Sequence, residues 1–218
     1  MPPAKSPRIR IRRIPENARY DAESINRVLD RGQIAHVSFA IDGQPYCIPT
    51  LYARVGGRVL IHGSTASRMI RHLASGAPAC LTATIFDGWV LARSAFETSA
   101  NYDSAVLFGR FRQITAPDDK LSALAAFMEV VLPGRWAEVR QPSRQELKGT
   151  AILEFELDEA SVKTRTGPPD DDDSADAERE TWAGVIPITR GYGAPVPSPG
   201  LRAGVPLDKS VERFLAGS

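Results

Sequence analysis

Ile61-His62-Gly63-Ser64-Thr65-Ala66-Ser67-Arg68-Met69 joins a strand to a helix, and the nature of that junction orders the rest of the chain. Val59 and Ile61 alternate as strand residues do, whereas Met69, Ile70 and Leu73 fall on one helical face that Gly76 closes. Between them lies a short loop of Gly, Ser and Thr. Such a loop presents hydroxyls and free N–H groups at a helix N-terminus, where the helix dipole favours an anion. Arg68 adds a fork of donors suited to phosphate oxygens. The simplest ligand for this junction is a phosphate group. The plainer alternative is that Ser64 or Thr65 only caps the helix.

Upstream, Asp21 can cap a helix with Ile25, Val28 and Leu29 on one face and Gly32 at its end. Ala35, Val37, Phe39 and Ile41 then alternate with His36, Ser38 and Ala40, and Asp42-Gly43 signals a hairpin. The return strand is expected from Gln44 to about Val55, followed by a Gly56-Gly57 turn and a strand over 58–62. Downstream, the pattern predicts a strand Cys80 to Phe86, a turn at Asp87-Gly88 and a returning strand Trp89 to Phe96. A loop near Thr98 to Asn101 then leads into a strand Ala105 to Ile114. Gly-containing turns joining apolar strands indicate a meandering antiparallel sheet or barrel. Helices follow over Pro117 to Val131, with Leu121, Leu124, Ala125, Met128 and Val131 on one face, and around Ser143 to Lys148. The last strand is expected at Ala151 to Leu157.

The flanks differ in character. Residues 1–14 form a basic arm in which Arg8, Arg10 and Arg12 alternate with Ile9 and Ile11, a surface strand or a nucleic-acid contact. Residues 163–181 read as an acidic linker in which Asp170 to Asp173 face water, and 182–218 as a Pro-rich tail packing on the barrel or on a partner subunit. The main domain is 15–162.

With 218 residues, 43% hydrophobic and 24% charged, the chain can bury one good core. A formal net charge of +1 gives no global field for nucleic acid or an anionic membrane. No apolar run approaches the roughly 20 residues needed to span a bilayer. The basic start has no apolar segment behind it to make a signal peptide, so the expected compartment is cytoplasmic. Cys47 and Cys80 read as two buried thiols, and no Cys/His cluster has metal spacing, so no metal site is expected. His36 reads as structural and His72 as a surface residue, while Trp89, Trp136 and Trp182 read as core or interface anchors.

Several segments in sequence carry a resemblance: Gly43-Gln44-Pro45 with Ile48-Pro49-Thr50-Leu51-Tyr52, then Ile61 to Arg68, then Asn101 to Gly109 and the Lys120-Leu121 helix. In their order and spacing the chain resembles the flavin-nucleotide-binding proteins of the pyridoxamine 5′-phosphate oxidase-like superfamily, nitroimidazole-resistance-type branch. The resemblance covers residues from about 15 to 160. It implies an antiparallel split β-barrel (an FMN-binding split barrel), mainly β with peripheral α-helices and here an irregular C-terminal tail. It also implies a homodimer with FMN at the interface. By position, Ser64, Ser67 and Arg68 would hold the FMN phosphate, and Pro49, Thr50, Leu51 and Tyr52 would line the flavin through backbone atoms. His62 would face the same region, with Arg93 and Asn101 as further cofactor contacts.

The implied activity is an FMN-dependent oxidoreductase passing electrons from a reduced nicotinamide or organic substrate to a small acceptor. Haem on the same barrel, with His62 or His72 as ligand, is the alternative cofactor, and a non-catalytic flavin-binding or regulatory module is the third reading. For proton transfer the candidates are His62, Tyr102 and the pair Glu97 and Asp103. Where relatives often read Phe-His-His-Ser-Met-Asn-Tyr-Arg-Ser, this chain has Phe96-Glu97-Thr98-Ser99-Ala100-Asn101-Tyr102-Asp103-Ser104. A loop so changed in charge should disfavour an anionic substrate.

Overall fold

Residues 3–217 are described by a computed structural model. The first two residues of the basic arm and the last of the tail lie outside them. In chain order the strands and helices are β1 (Ala18–Arg19), α1 (Ala22–Arg31), β2 (Ile34–Ile41), β3 (Gln44–Leu51), β4 (Ala53–Val55), β5 (Arg58–Ser64) and α2 (Arg68–Ala74). There follow β6 (Pro78–Leu91), β7 (Ser99–Ile114), α3 (Pro117–Val131), α4 (Arg135–Glu138), α5 (Arg144–Gly149), β8 (Thr150–Glu156), β9 (Ala160–Arg165), β10 (Gly184–Pro187) and α6 (Lys209–Ala216).

The strands form one antiparallel sheet in the order β3-β2-β6-β7-β8-β5-β4, with β9 and β1 extending from β7 and β10 added to β6. It bends at Gly109-Arg110: upstream residues of β7 pair with β6 and β9, and Phe111 to Ile114 pair with β8. Gly109 permits the bend, because a Cβ there would lie 3.0 Å from the Phe155 ring. The ends β3 and β4 do not pair, so this is a split barrel, as the resemblance implies. Inward residues such as Val37, Leu81, Leu107, Leu153 and Phe155 form its core with Val28 and Leu29 of α1 and Leu73 of α2.

Local chemistry explains the elements that match expectation. Asp42 (φ 50°) and Gly43 (φ 80°) are both left-handed, as a two-residue hairpin turn between β2 and β3 requires. Asp21 caps α1 by accepting the Ser24 N–H at 2.8 Å, and Ser143 and Glu146 form a reciprocal capping box on α5.

Other expectations are corrected. Asp87-Gly88 is a bulge inside β6, which runs on to Leu91. Gly88 is required by β10, whose Ile186 carbonyl oxygen would lie 2.5 Å from any Cβ there. Gly88→Ala should therefore loosen β10, at a cost of about 1–3 kcal/mol. The check is faster hydrogen exchange at Val185 and Ile186 than in the parent protein. The expected loop at Thr98 to Asn101 instead begins β7 at Ser99, and Ala151 to Leu157 is followed by two further strands. The return strand breaks at Tyr52, where the chain passes from one half of the sheet to the other.

On α3 the buried apolar residue is Phe127, packed with Ala53 and Leu60 and flanked by Ala123 and Val131. Leu121, Leu124, Ala125 and Met128 of the expected stripe are only half-buried. Apolar residues surround much of this helix, so periodicity alone did not select its docking face.

Cys47 is exposed on the outer face of β3 and Cys80 half-buried, both free. His36 is exposed on β2. Trp89 (54%) and Trp182 (64%) are largely exposed and Trp136 is half-buried, which removes the core-anchor reading. The arm does not alternate as a strand: Ile9 is buried, and Arg8 pairs with Glu159 and lies over the Phe108 ring. In the tail, β10 pairs with β6, the Tyr192 hydroxyl accepts from Gln33, and Ser210 of α6 bonds to Glu138.

Candidate functional site

The loop after β5 folds on its own hydroxyls. The Ser64 carbonyl accepts from Ser67 N–H at 3.0 Å and its Oγ from Ala66 N–H at 3.2 Å, while Thr65 N–H donates to the Gly149 carbonyl at 3.0 Å. Ser67 caps α2 by accepting from Ile70 N–H at 3.4 Å, which corrects the expectation of Ser64 or Thr65 as the cap. Gly63 lets the loop close on the helix, since a Cβ would touch Ile70 at 3.0 Å. Met69, Ile70 and Leu73 are buried beneath. The Arg68 and Met69 N–H groups, at the first two helical positions, have no intrahelical acceptor.

Arg68 is exposed, and its guanidinium carbon lies 4.4 Å from the centre of the Tyr46 ring. Stacking uses the face of the guanidinium and leaves its N–H donors free. No carboxylate pairs with Arg68 among the described residues. Tyr46 stacks in turn on Phe39 (5.4 Å, 16°), and Phe39 meets the His72 ring at 5.3 Å. The phosphate-like loop and β3 are thus joined through Arg68 and Tyr46. Beyond Tyr46, Pro49, Thr50 and Leu51 follow along β3, an edge strand whose outer backbone groups pair with no other strand among the described residues.

The remaining expected residues are placed elsewhere. Tyr52 is buried: its hydroxyl donates to the Leu29 carbonyl at 2.7 Å and its N–H to the Gln33 carbonyl at 3.3 Å, so it offers a cofactor no free donor. Burial, helped by the nearby Asp30, pushes the Tyr52 phenol far above its ordinary pKa. His62 faces α3 instead of β3, because Ile61 takes the inward position and alternation turns its neighbour out. Its ring meets Phe127 edge-on at 4.8 Å and is open on one side, and desolvation lowers its pKa, so the imidazole is neutral at neutral pH.

Arg93 is held by Asp171 and Asp172 at 2.9 Å each, and its N–H donates to Asp171 at 2.6 Å. Asp171 is 1% exposed, which corrects the solvated reading for that member of the acidic run. Asn101 donates to the Gly167 carbonyl at 3.1 Å and accepts from Arg165 at 2.6 Å. Both residues fasten the segment after β9 to the barrel. Tyr102 is half-buried on the outer face of β7, opposite Phe86.

Asp103 is 2% exposed and accepts from Arg27 (2.6 Å), Arg31 (2.5 Å) and Thr164 (2.6 Å). Burial alone would raise its pKa, but the bonds from Arg27 and Thr164 and the charge of Arg31 outweigh it and hold the carboxyl below its ordinary value. It is no acid–base partner of Glu97, and its charge is spent on α1 instead of facing a substrate. Glu97 sits half-buried in the loop before β7.

Tyr46 escaped the sequence reading, although its alternation with Ile48 put it on the inward face of β3. His72, read as a surface residue and weighed as a haem ligand, has a buried Nε2 without a hydrogen-bond partner and is no free surface residue. Its position four residues after Arg68 places both on one helix face.

The family model for pyridoxamine 5′-phosphate oxidase matches residues 21–164. The chain belongs to that family. Among solved structures, the pyridoxamine 5′-phosphate oxidase barrel here is similar to the flavocytochrome Anf3 from Azotobacter vinelandii. That protein is 37% identical with a TM-score of 0.91, over 97% of this chain and 98% of that one. It is also similar to an FAD and heme binding protein from Mycobacterium smegmatis, 43% identical with a TM-score of 0.87, over 91% and 97% of the two chains. A protein from Bacteroides thetaiotaomicron described as a candidate 5-nitroimidazole antibiotic resistance protein shares the fold at 18% identity. Its TM-score is 0.57, over 67% of this chain and 85% of that one. No curated protein matches the chain. No helix among the described residues is long and apolar enough to cross a membrane.

Proposed function

We propose that this family member is a dimeric flavin-dependent oxidoreductase that also carries haem. The observation that carries the flavin assignment is the junction of the Ser64–Arg68 loop with edge strand β3 through the Arg68–Tyr46 contact. Arg68, with the free N–H groups of the first turn of α2, would hold the ribityl phosphate, and the Ser64 and Ser67 hydroxyls can donate to it as well as cap. From Tyr46 to Pro49 is about 10 Å along the strand. The outer backbone groups of Pro49, Thr50 and Leu51 would therefore orient the flavin ring while Arg68 fixes its phosphate. FMN and FAD share that phosphate. The mycobacterial relative is described as binding FAD, which makes FAD the form expected here in place of FMN.

The haem assignment rests on the two relatives that cover the C-terminal segment as well as the barrel, one described as a flavocytochrome and one as binding heme. Of the histidines weighed as ligands, His62 fits: its ring is neutral and open on one side. His72 does not fit in this arrangement, because its Nε2 is enclosed by protein. The chemistry supplied is hydride acceptance by flavin and one-electron transfer by haem, linking a reduced nicotinamide or organic donor to a small acceptor.

The dimer would form on the outer face of β3, β2, β6 and β7, where Ile34, Leu51 and Trp89 are exposed. A second copy covering that face would also enclose the open edge of β3. Cytoplasmic placement is part of the same reading. His62→Ala should remove the haem Soret absorption and leave the flavin bands, and a full Soret band in that variant would reassign the ligand. Acid release and chromatography should yield FAD. FMN in its place would correct the form of the flavin, and no flavin would defeat the assignment.

A further inference from the structure

A cavity of about 540 Å³ lies between α3 and the outer face of the second half of the sheet, lined among others by Leu60, Ile114, Ala123 and Ala126. Its charged lining is unusual for the outer face of a sheet. Glu154 on β8 is 3% exposed, yet both of its charged neighbours, Arg58 and Arg112, keep much of their surface open. Arg58 donates to one Glu154 oxygen at 2.5 Å. Arg112 forms an ion pair with the other oxygen, Oε1, but Oε1 receives no well-directed hydrogen bond.

Burying a carboxylate is costly unless cations compensate it, and one guanidinium would suffice for that. Here two forks share one carboxylate, so each guanidinium keeps donors that Glu154 does not use. Arg112 is paired with Glu154 through one nitrogen, and its side chain is 70% exposed, so the rest of its fork is open to a ligand. Asp119 also lines the cavity, exposed to water in the first turn of α3, so the charges around the cavity cancel and recognition rests on the guanidinium forks, not on net charge.

We infer that this cavity binds a small organic carboxylate with an apolar body. Arg58 and Arg112 receive the carboxylate as a bidentate pair, and the aliphatic walls take the body. Glu154 holds both arginines in place and limits their charge, which disfavours multiply charged anions. The site is separate from the proposed flavin loop. Arg58 opens β5 and Ser64 closes it, about 20 Å apart along the strand. Failure of the flavin assignment would leave this inference intact, and the reverse also holds.

Isothermal titration of the full-length protein with sodium benzoate, sodium acetate and benzyl alcohol tests it. Benzoate should bind once per chain, with acetate and benzyl alcohol each at least about tenfold weaker, because one lacks the body and the other the charge. Arg112→Gln, a change at an exposed side chain, should weaken benzoate at least about tenfold. Glu154→Gln should strengthen it, since it removes the competing carboxylate. A purely structural ion triad would not produce these opposite signs. No saturable benzoate binding up to about 10 mM, equal binding of acetate and benzoate, or unchanged affinity in Arg112→Gln would each overturn the inference.

Discussion

Asp103→Asn should lower the unfolding free energy by about 3 kcal/mol. Loss of a buried, ion-paired carboxylate costs about 3–5 kcal/mol, and the solvent access of Arg27 and Arg31 puts this case at the lower end. The substitution leaves two guanidinium groups and the Thr164 hydroxyl around a neutral amide. It thereby loosens α1 from β7 and β9, because Arg27 and Arg31 both belong to that helix.

The effect has a definite pH signature. The folded-state pKa of Asp103 is depressed, so its contribution is fully present above the unfolded value of about 3.9 and is lost as pH falls through the folded value. Urea midpoints of the parent and Asp103→Asn should therefore differ most near neutrality and converge in strong acid. A difference that stays constant down to the acid limb would mean that the carboxylate charge is not what stabilises this contact.

Arg68→Ala should weaken flavin binding by about 10- to 100-fold, equivalent to about 1.5–3 kcal/mol for charge-assisted hydrogen bonds to a phosphate. The guanidinium is exposed and, among the described residues, rests on the face of Tyr46 without an ion pair, so the fold should survive. Arg68→Lys should fall between parent and alanine, since an ammonium keeps the charge but loses the planar fork. Titration of the apoprotein with flavin, followed by fluorescence quenching, gives the dissociation constants. An Arg68→Ala protein with parental affinity would remove the phosphate from this loop.

What the sequence revealed depended on how local the physics was. The hairpin at Asp42-Gly43 was legible because both residues tolerate left-handed backbone and the alternating strands flank them directly. The loop-to-helix junction before Arg68 was legible for the same reason, since helix face and stop signal lie close together, although the cap proved to be Ser67 and not Ser64 or Thr65. Asp87-Gly88 has the same chemistry but a different cause. Gly88 answers to Ile186, nearly a hundred residues later, and no local pattern could report it.

The charged residues divide along the same line. Asp103 read as a proton-transfer candidate and Asp171 as a solvated carboxylate, until α1 brings Arg27 and Arg31 to one and the loop after β6 brings Arg93 to the other. Tyr52 read as lining the flavin through its backbone, by its place in a motif, but its N–H donates to the Gln33 carbonyl. Its phenol instead fills the gap beside Gly32 at the end of α1, where a Cβ would lie 2.4 Å from the Tyr52 oxygen. Of the positions carried by the resemblance, those on the Ser64–Arg68 loop and the exposed end of β3 remain open to a ligand, while Tyr52, Arg93 and Asn101 are occupied by the fold itself.

The absorption spectrum of the purified protein, oxidised and then reduced, tests the central claim most directly. A flavin- and haem-bearing protein should show an intense Soret band over broad flavin absorption near 370 and 450 nm (approximate positions), with the flavin bands bleaching on reduction. A protein that is colourless as isolated, and stays so after incubation with FAD, FMN and haem, would contradict the account.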